Sequence, residues 1–124
     1  MNEDNNNNLS LSNKIEKMFA GKDHVGVVKH FEGADLDYFV NVTRNLMKEI
    51  GKKYEDSIEV KKQRVVYNNL CYLSDNLYLW IKGTQTDFGI LLEMKIYHPT
   101  ELSGLSDELL NKFTEIFEKL MISS

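Results

Sequence analysis

The sequence predicts an α+β fold in which three helices pack on a single, mainly antiparallel sheet of about four to five strands. Apolar residues recur at helical spacing near the start of the chain, before position 51 and after position 105. Between positions 58 and 97 the apolar period changes to that of a strand, and short turns separate the runs. Short turns predict antiparallel neighbours, because parallel strands need long crossover connections.

Composition predicts one domain and a short tail. Residues 1–8 are rich in asparagine and have too few apolar side chains to bury, so we expect a disordered tail followed by a single α+β domain over residues 9–124. The hydrophobic fraction of 42% and the charged fraction of 27% are ordinary for a globular protein. A single cysteine, the absence of a signal-peptide pattern and the absence of a long apolar run predict a cytoplasmic protein without a transmembrane segment.

The first helix and the first strand come before position 32. Ser10 or Ser12 can cap the start of the helix, and Gly21 suits the exit from it. The segment from His24 to Phe31 alternates as a strand should. The apolar stripe of the helix consists of Leu11, Ile15, Met18 and Phe19.

A second helix follows, with Asp35 as its predicted N-cap and Gly51 as its predicted stop. An alternative keeps Leu36–Val40 as a strand and starts the helix near Val42. Helical periodicity favours the helix over the whole segment. Its apolar stripe consists of Leu36, Phe39, Val40, Thr43, Met47 and Ile50.

The sheet region starts after Tyr54. Ile58 and Val60 share one parity, whereas Val65 and Tyr67 share the other, so we expect a bulge near Lys62–Gln63. Asn68–Asn69 predicts a hairpin turn, since asparagine tolerates positive φ.

Two further strands complete the sheet. Ser74–Asn76 predicts the next turn, and the residues from Leu77 to Lys82 predict a central strand that is covered on both faces. We expect a loop from Gly83 to Asp87 and a half-buried strand from Phe88 to Ile96.

The last helix is expected to be about 16 residues long. Pro99 ends the preceding strand, Ser106 is the predicted N-cap, and Leu105 with Leu110 would form a hydrophobic staple around it. The apolar stripe consists of Leu109, Leu110, Phe113, Ile116, Phe117, Leu120 and Met121.

The predicted order is therefore α-β-α-β-β-β-β-α. This order resembles that of small cytoplasmic domains of the roadblock, longin and profilin type. The resemblance is one of architecture only, and architecture by itself implies no function.

Residues suited to catalysis or metal binding are not concentrated anywhere in the sequence. His24 and His30 lie on one predicted strand about 20 Å apart, too far to share an ion, and His98 has no second ligand nearby. Cys71 lies inside a predicted strand, so we expect a buried, inert thiol. No glycine-rich phosphate-binding pattern is present. We therefore predict no metal, no cofactor and no catalytic residue.

Positive charge concentrates between Arg44 and Arg64, although the whole chain has a net charge of −4. Such a cluster would attract RNA or an anionic surface, whereas lysines on an edge strand would also block aggregation. The cluster consists of Lys52, Lys53, Lys61, Lys62 and Arg64.

The leading functional hypothesis is a non-enzymatic protein–protein interaction domain, acting as a small subunit or adaptor of an intracellular complex. A protein partner or a homodimer is expected, formed through a strand edge or the last helix, with Tyr78, Trp80, Phe117 and Met121 as interface candidates because aromatic residues are enriched at interfaces. The first alternative is binding of RNA or an anionic surface by the basic cluster. The second is a small enzyme or ligand-binding domain whose site forms only in three dimensions.

Overall fold

The computed structural model describes residues 10–122, apart from the side chains at positions 100 and 103. Within that range, three helices pack on one five-stranded antiparallel sheet, which confirms the predicted fold class and element order. The predicted tail over residues 1–8 lies outside the described residues. The elements are α1 (Leu11–Phe19), β1 (His24–Glu32), α2 (Leu36–Ile50), β2 (Lys53–Lys61), β3 (Arg64–Ser74), β4 (Leu77–Gln85), β5 (Gly89–Tyr97), a short 3-10 helix (Thr100–Leu102) and α3 (Ser103–Ile122).

The strands lie in the order β1-β5-β4-β3-β2. Strands β2 to β5 form a meander in which each strand pairs with its neighbour in sequence. Strand β1 instead pairs with β5, in an unbroken register that runs from His24 opposite Tyr97 to Glu32 opposite Gly89. Strands β1 and β2 are therefore the two edges of the sheet.

Helix α2 begins and ends as its sequence predicts. The Asp35 carboxylate accepts a hydrogen bond from the Tyr38 N–H at 3.1 Å, which satisfies a donor that the first turn leaves unpaired. Gly51 adopts a left-handed conformation with φ of 66°, and its N–H donates to the carbonyls of Met47 and Lys48. The predicted helix is thus confirmed for Leu36–Val40, and the strand alternative is wrong.

One face of the sheet, which we call the closed face, is covered by two helices. Helix α3 lies over β1 and β5, and α2 lies over β3 and β4. Phe39 and Phe117 are fully buried there with their ring centroids 5.6 Å apart. Gly83 lies beneath Phe39, and a Cβ at this position would overlap the ring. The expected loop from Gly83 is wrong, since β4 continues to Gln85. Glycine is found inside this strand because the strand passes directly under the Phe39 ring.

The expected bulge at Lys62–Gln63 is instead the turn of the β2–β3 hairpin. Lys61 pairs with Arg64, and the two residues between them have φ values of 52° and 67°. Two consecutive left-handed residues match the twist of a two-residue hairpin. Neither residue is glycine or asparagine, so the sequence carries no ordinary signal for this turn.

The expected turn at Asn68–Asn69 is wrong, because both residues lie inside β3 and are fully buried. The side-chain amide of each asparagine forms a hydrogen bond with another side chain. Asn68 Oδ1 accepts a hydrogen bond from Trp80 Nε1 at 2.9 Å, and Asn69 Nδ2 donates to the Tyr67 hydroxyl at 3.0 Å. The chain reverses later, between Ser74 and Leu77, as predicted.

Two further boundaries differ from the prediction. Phe88 is exposed and precedes β5. Helix α3 spans 20 residues and starts at Ser103, directly after the short 3-10 helix in which the Leu102 N–H donates to the Pro99 carbonyl. Ser106 is consequently inside the helix, where its hydroxyl donates to the Leu102 carbonyl and does not cap the helix. Leu105 is exposed, so the expected staple does not form.

Candidate interaction surface

Among residues 10–122, α1 is the one helix that packs on the second face of the sheet, which we call the α1 face. The start of this helix is held by β2. The Leu11 N–H donates to Glu59 Oε2 at 3.0 Å, and Lys14 Nζ lies 3.0 Å from Glu55 Oε1. A carboxylate at a helix N-terminus is favourable because it accepts unpaired N–H groups and opposes the helix dipole.

Helix α1 crosses this face diagonally from β2 towards the end of β5. Ile15 and Phe19 are its buried apolar side chains, and they pack on a small cluster that is separate from the main core. Phe19 stacks on Tyr97 with ring centroids 4.3 Å apart. The sheet residues of this cluster are Leu70, Trp80 and Tyr97.

The part of the α1 face nearest β1 remains accessible. We call it the open region. Strand register places its side chains in two rows: Val28 lies beside Glu93 and Lys82 in one, and His30 lies beside Leu91 in the other. Val28 has 62% of its surface exposed, although it lies in the middle of a strand. The open region consists of Val28, His30, Lys82, Leu91 and Glu93.

A groove separates the open region from α1. The cavity measures about 300 Å³, and Trp80 lies at its base with 5% of its surface exposed. The ammonium groups of Lys82 and Lys95 lie 6.0 Å and 5.5 Å from the centroid of the Trp80 ring, which is within the range of cation–π attraction. Lys82 also lies 3.8 Å from Glu93, so the groove has charges of both signs.

The edge strand β1 borders the open region. Its nine residues pair with β5 without a bulge, and they include no proline. Its one lysine, Lys29, points to the closed face and forms an ion pair with Glu118 at 2.8 Å. Bulges, prolines and free lysines are the usual devices that stop an edge strand from pairing with another chain. Strand β1 has none of them, so its outer N–H and C=O groups suit an additional strand.

The opposite edge strand, β2, is different. Five of its nine residues are charged, and their side chains have partners on both faces of the sheet. Glu55 and Glu59 bind α1, while Asp56 accepts a hydrogen bond from Arg44 Nε at 2.7 Å. Burial raises the pKa of Tyr67, whose hydroxyl donates to the same Asp56 carboxylate. This polar network fixes β2 to α1 and α2.

Of the predicted interface residues, most belong to the core of the chain. Phe117 is fully buried and Met121 nearly so, both between α3 and the sheet. Trp80 is covered by Lys82, Lys95 and α1, as described above. Tyr78 remains half-buried at the end of the α1 face, where its ring meets Phe19. Three of these four side chains are therefore not available on the surface of the single chain.

The predicted basic cluster divides between the two ends of the β2–β3 hairpin. Lys53 and Lys61 are the first and last residues of β2, about 26 Å apart for an extended strand. Lys53 lies over the Tyr72 ring, Lys61 donates to Asn13, and Arg64 pairs with Asp87. Lys52 is next to Lys53 in sequence, at one end of the hairpin, and Lys62 is next to Lys61, at the other end. The five residues do not form one patch.

The remaining candidates occupy ordinary positions. Cys71 is buried on the closed face, as predicted, and burial raises its pKa to about 11. His24 and His30 are exposed, whereas His98 is buried and its Nδ1 lies 2.8 Å from the Pro99 carbonyl. Within residues 10–122, no three His, Cys, Asp or Glu side chains are grouped in a way that could hold a metal ion. None of the helices in that range is long and apolar enough to cross a membrane.

The feature that sequence reasoning missed is the accessible edge at β1. Its alternation identifies a strand, but which strand it pairs with depends on contacts between distant parts of the chain. Comparison with known proteins adds no assignment. No protein-family model matches the chain, and neither do any of the curated proteins or solved structures with which it was compared.

Proposed function

We propose that this protein is a non-enzymatic interaction domain, a small subunit or adaptor of an intracellular complex, which binds its protein partner through β1 and the open region. The observation that carries the proposal is the contrast between a nine-residue edge strand without protective devices and an opposite edge whose charges are all engaged. Main-chain pairing at such an edge supplies affinity, and the adjoining side chains supply specificity.

The composition of the open region supports a protein partner. Val28 and Leu91 offer apolar surface, while Lys82 and Glu93 beside them carry opposite charges. An apolar centre with a polar rim is the usual anatomy of a protein interface. A nucleic acid would instead favour a continuous basic surface, and the basic residues are divided between two ends of a hairpin.

The test is recovery of the protein from its native cells with a tag before Met1, followed by mass spectrometry of stoichiometric companions. Val28→Lys should abolish recovery of the companion, because it places a charge in the centre of the binding edge. Val60→Lys is the matched control, since Val60 is an exposed valine (73%) on the opposite edge strand. A companion that is lost equally with both variants, or with neither, would contradict the proposed site.

A further inference from the structure

We infer that the strand which pairs with β1 is the β1 of a second copy of this chain, so that two sheets join into one continuous sheet. This inference rests on the proposed function and specifies its partner. Three observations on β1 support self-pairing: its length without interruption, the complementarity of its sequence to its own reverse, and the exposure of Val28 at its centre.

Symmetry restricts how two β1 strands can meet. Antiparallel pairing of identical edges requires a two-fold axis perpendicular to the sheet, and this axis keeps each face on its own side. A residue must therefore lie opposite itself at the centre. When Val28 is that residue, all nine positions of β1 are paired, because Val28 is the midpoint of His24–Glu32.

The side-chain pairs at the centre and towards both ends of this register are compatible. His24 lies opposite Glu32 of the second copy, where an imidazole N–H can donate a hydrogen bond to the carboxylate. Val25 lies opposite Phe31 on the closed face, where valine is only half-buried in the single chain. On the α1 face, Val28 meets its own copy, and its exposed side chain becomes buried.

The neighbouring registers are worse. Centring the axis on Val27 places His24 opposite His30, so that two imidazoles meet on the α1 face. Centring the axis on Lys29 places that lysine opposite its own copy on the closed face. In each copy, Glu118 is the acidic residue that forms an ion pair with it. Like charges directly opposite each other destabilise a strand pair. Charge and burial therefore both select the register centred on Val28.

Self-pairing at β2 is disfavoured by the same reasoning. Its nine residues have Ser57 at the midpoint, so the corresponding register places Glu55 opposite Glu59 twice. On the α1 face, both carboxylates already accept hydrogen bonds from α1. The second copy would bring further negative charge to the same face. In the register that pairs all nine residues, β1 therefore fits a second copy better than β2 does.

The test compares the wild-type protein with Val28→Lys and Val28→Glu by sedimentation velocity over a range of concentrations. The wild type should have twice the mass of the chain. Each variant alone should raise the dimer dissociation constant about tenfold or more, which corresponds to about 1.4 kcal/mol. An equimolar mixture of the two should recover the dimer, because lysine then lies opposite glutamate. This recovery excludes misfolding as the cause of dissociation, and Val60→Lys should leave the dimer unchanged.

A cysteine pair tests the register directly. Opposing residues of antiparallel strands have Cα atoms about 4.5–5.5 Å apart, within reach of a disulfide. Val28→Cys should therefore form a covalent dimer under mild oxidation, and Val60→Cys should not. Cross-linking that is no faster for Val28→Cys than for Val60→Cys would overturn the inference.

Failure of the inference is distinguishable from failure of the proposed function. A monomeric wild type that nevertheless loses a different companion protein on Val28→Lys would overturn self-pairing and leave the binding edge in place. A monomeric wild type whose companions are indifferent to Val28→Lys would overturn both.

Discussion

The two faces of the sheet are covered to very different extents. On the closed face, α2 and α3 together bury the inward side chains of β3, β4 and β5 in one continuous core. On the α1 face, a nine-residue helix contributes Ile15 and Phe19 to a smaller, separate cluster and leaves the side nearest β1 accessible. The contrast predicts that the closed face contributes more to the stability of the chain than the α1 face does, because it buries more apolar surface.

The largest effect should come from the closed face. Phe117→Ala removes a fully buried ring from the centre of the main core, and we expect a loss of about 3–5 kcal/mol in the free energy of unfolding. Urea denaturation followed by circular dichroism measures this loss. Leu120→Ala is the control, because Leu120 lies on the same helix but is partly exposed. Equal losses for the two variants would refute the assignment of the core to this face.

A smaller effect is expected on the α1 face. Phe19→Ala removes the stacking on Tyr97 and should cost about 1–3 kcal/mol. The loss is limited because α1 can detach while the rest of the fold remains intact. Hydrogen exchange should show faster exchange of the α1 amides, with the amides of β4 and α3 still protected.

The control for this experiment is Met18→Ala, which changes a neighbouring residue of α1 that is 40% exposed. It should leave the exchange of α1 nearly unchanged. If Phe19→Ala accelerates exchange in the sheet as much as in α1, the two faces form a single cooperative unit. That result would contradict the expectation that α1 detaches separately.

The smallest effect concerns the carboxylate that holds the start of α1. Burial would raise the pKa of Glu59, but hydrogen bonds from Ser57 and from the start of α1 outweigh it and lower the pKa below its ordinary value of 4.5. A group with a lowered pKa stabilises the folded state above its unfolded value, and this contribution is lost as the pH falls through the folded value. Docking of α1 should therefore weaken below pH 4.5.

Glu59→Gln should remove this pH dependence and cost about 1 kcal/mol at neutral pH, as the loss of a helix cap typically does. Hydrogen exchange of the α1 amides between pH 3 and pH 7 measures both effects, after correction for the intrinsic rate of exchange. Glu49→Gln, on the exposed side of α2, is the matched control. If the α1 amides of Glu59→Gln still lose protection below pH 4.5, the pH dependence of α1 docking belongs to Glu55. Hydrogen bonds from Tyr72 and Lys14 lower the pKa of that carboxyl as well.

Elements governed by local chemistry could be predicted from the sequence. The Asp35 cap, the Gly51 stop and the apolar stripe of α2 follow from interactions within a few residues, and all of them are confirmed. The turn after Ser74 belongs to the same class. Local hydrogen bonds and backbone conformations leave a direct signature in the residue types.

Elements governed by distant partners could not be predicted. Asn68 is tolerated inside β3 because Trp80 on the next strand binds its side chain, and Asn69 is tolerated because Tyr67 does the same. The burial of three of the four candidate interface residues could not be predicted for a similar reason. An aromatic residue such as Phe117 is equally suited to a core and to an interface, and only the packing of α3 on the sheet decides between them.

The position of β1 in the sheet has a consequence for the order in which the chain folds. Strands β2 to β5 pair with their neighbours in sequence, so the meander can form through contacts of short separation. Strand β1 can pair only after β5, the last of the five described strands in sequence, has been synthesised. Contacts between such distant segments form slowly, because the entropy cost of closing a long loop comes before the favourable free energy of the contacts. The strand whose outer edge is free in the folded chain is thus also the one that a nascent chain leaves without a partner for the longest time.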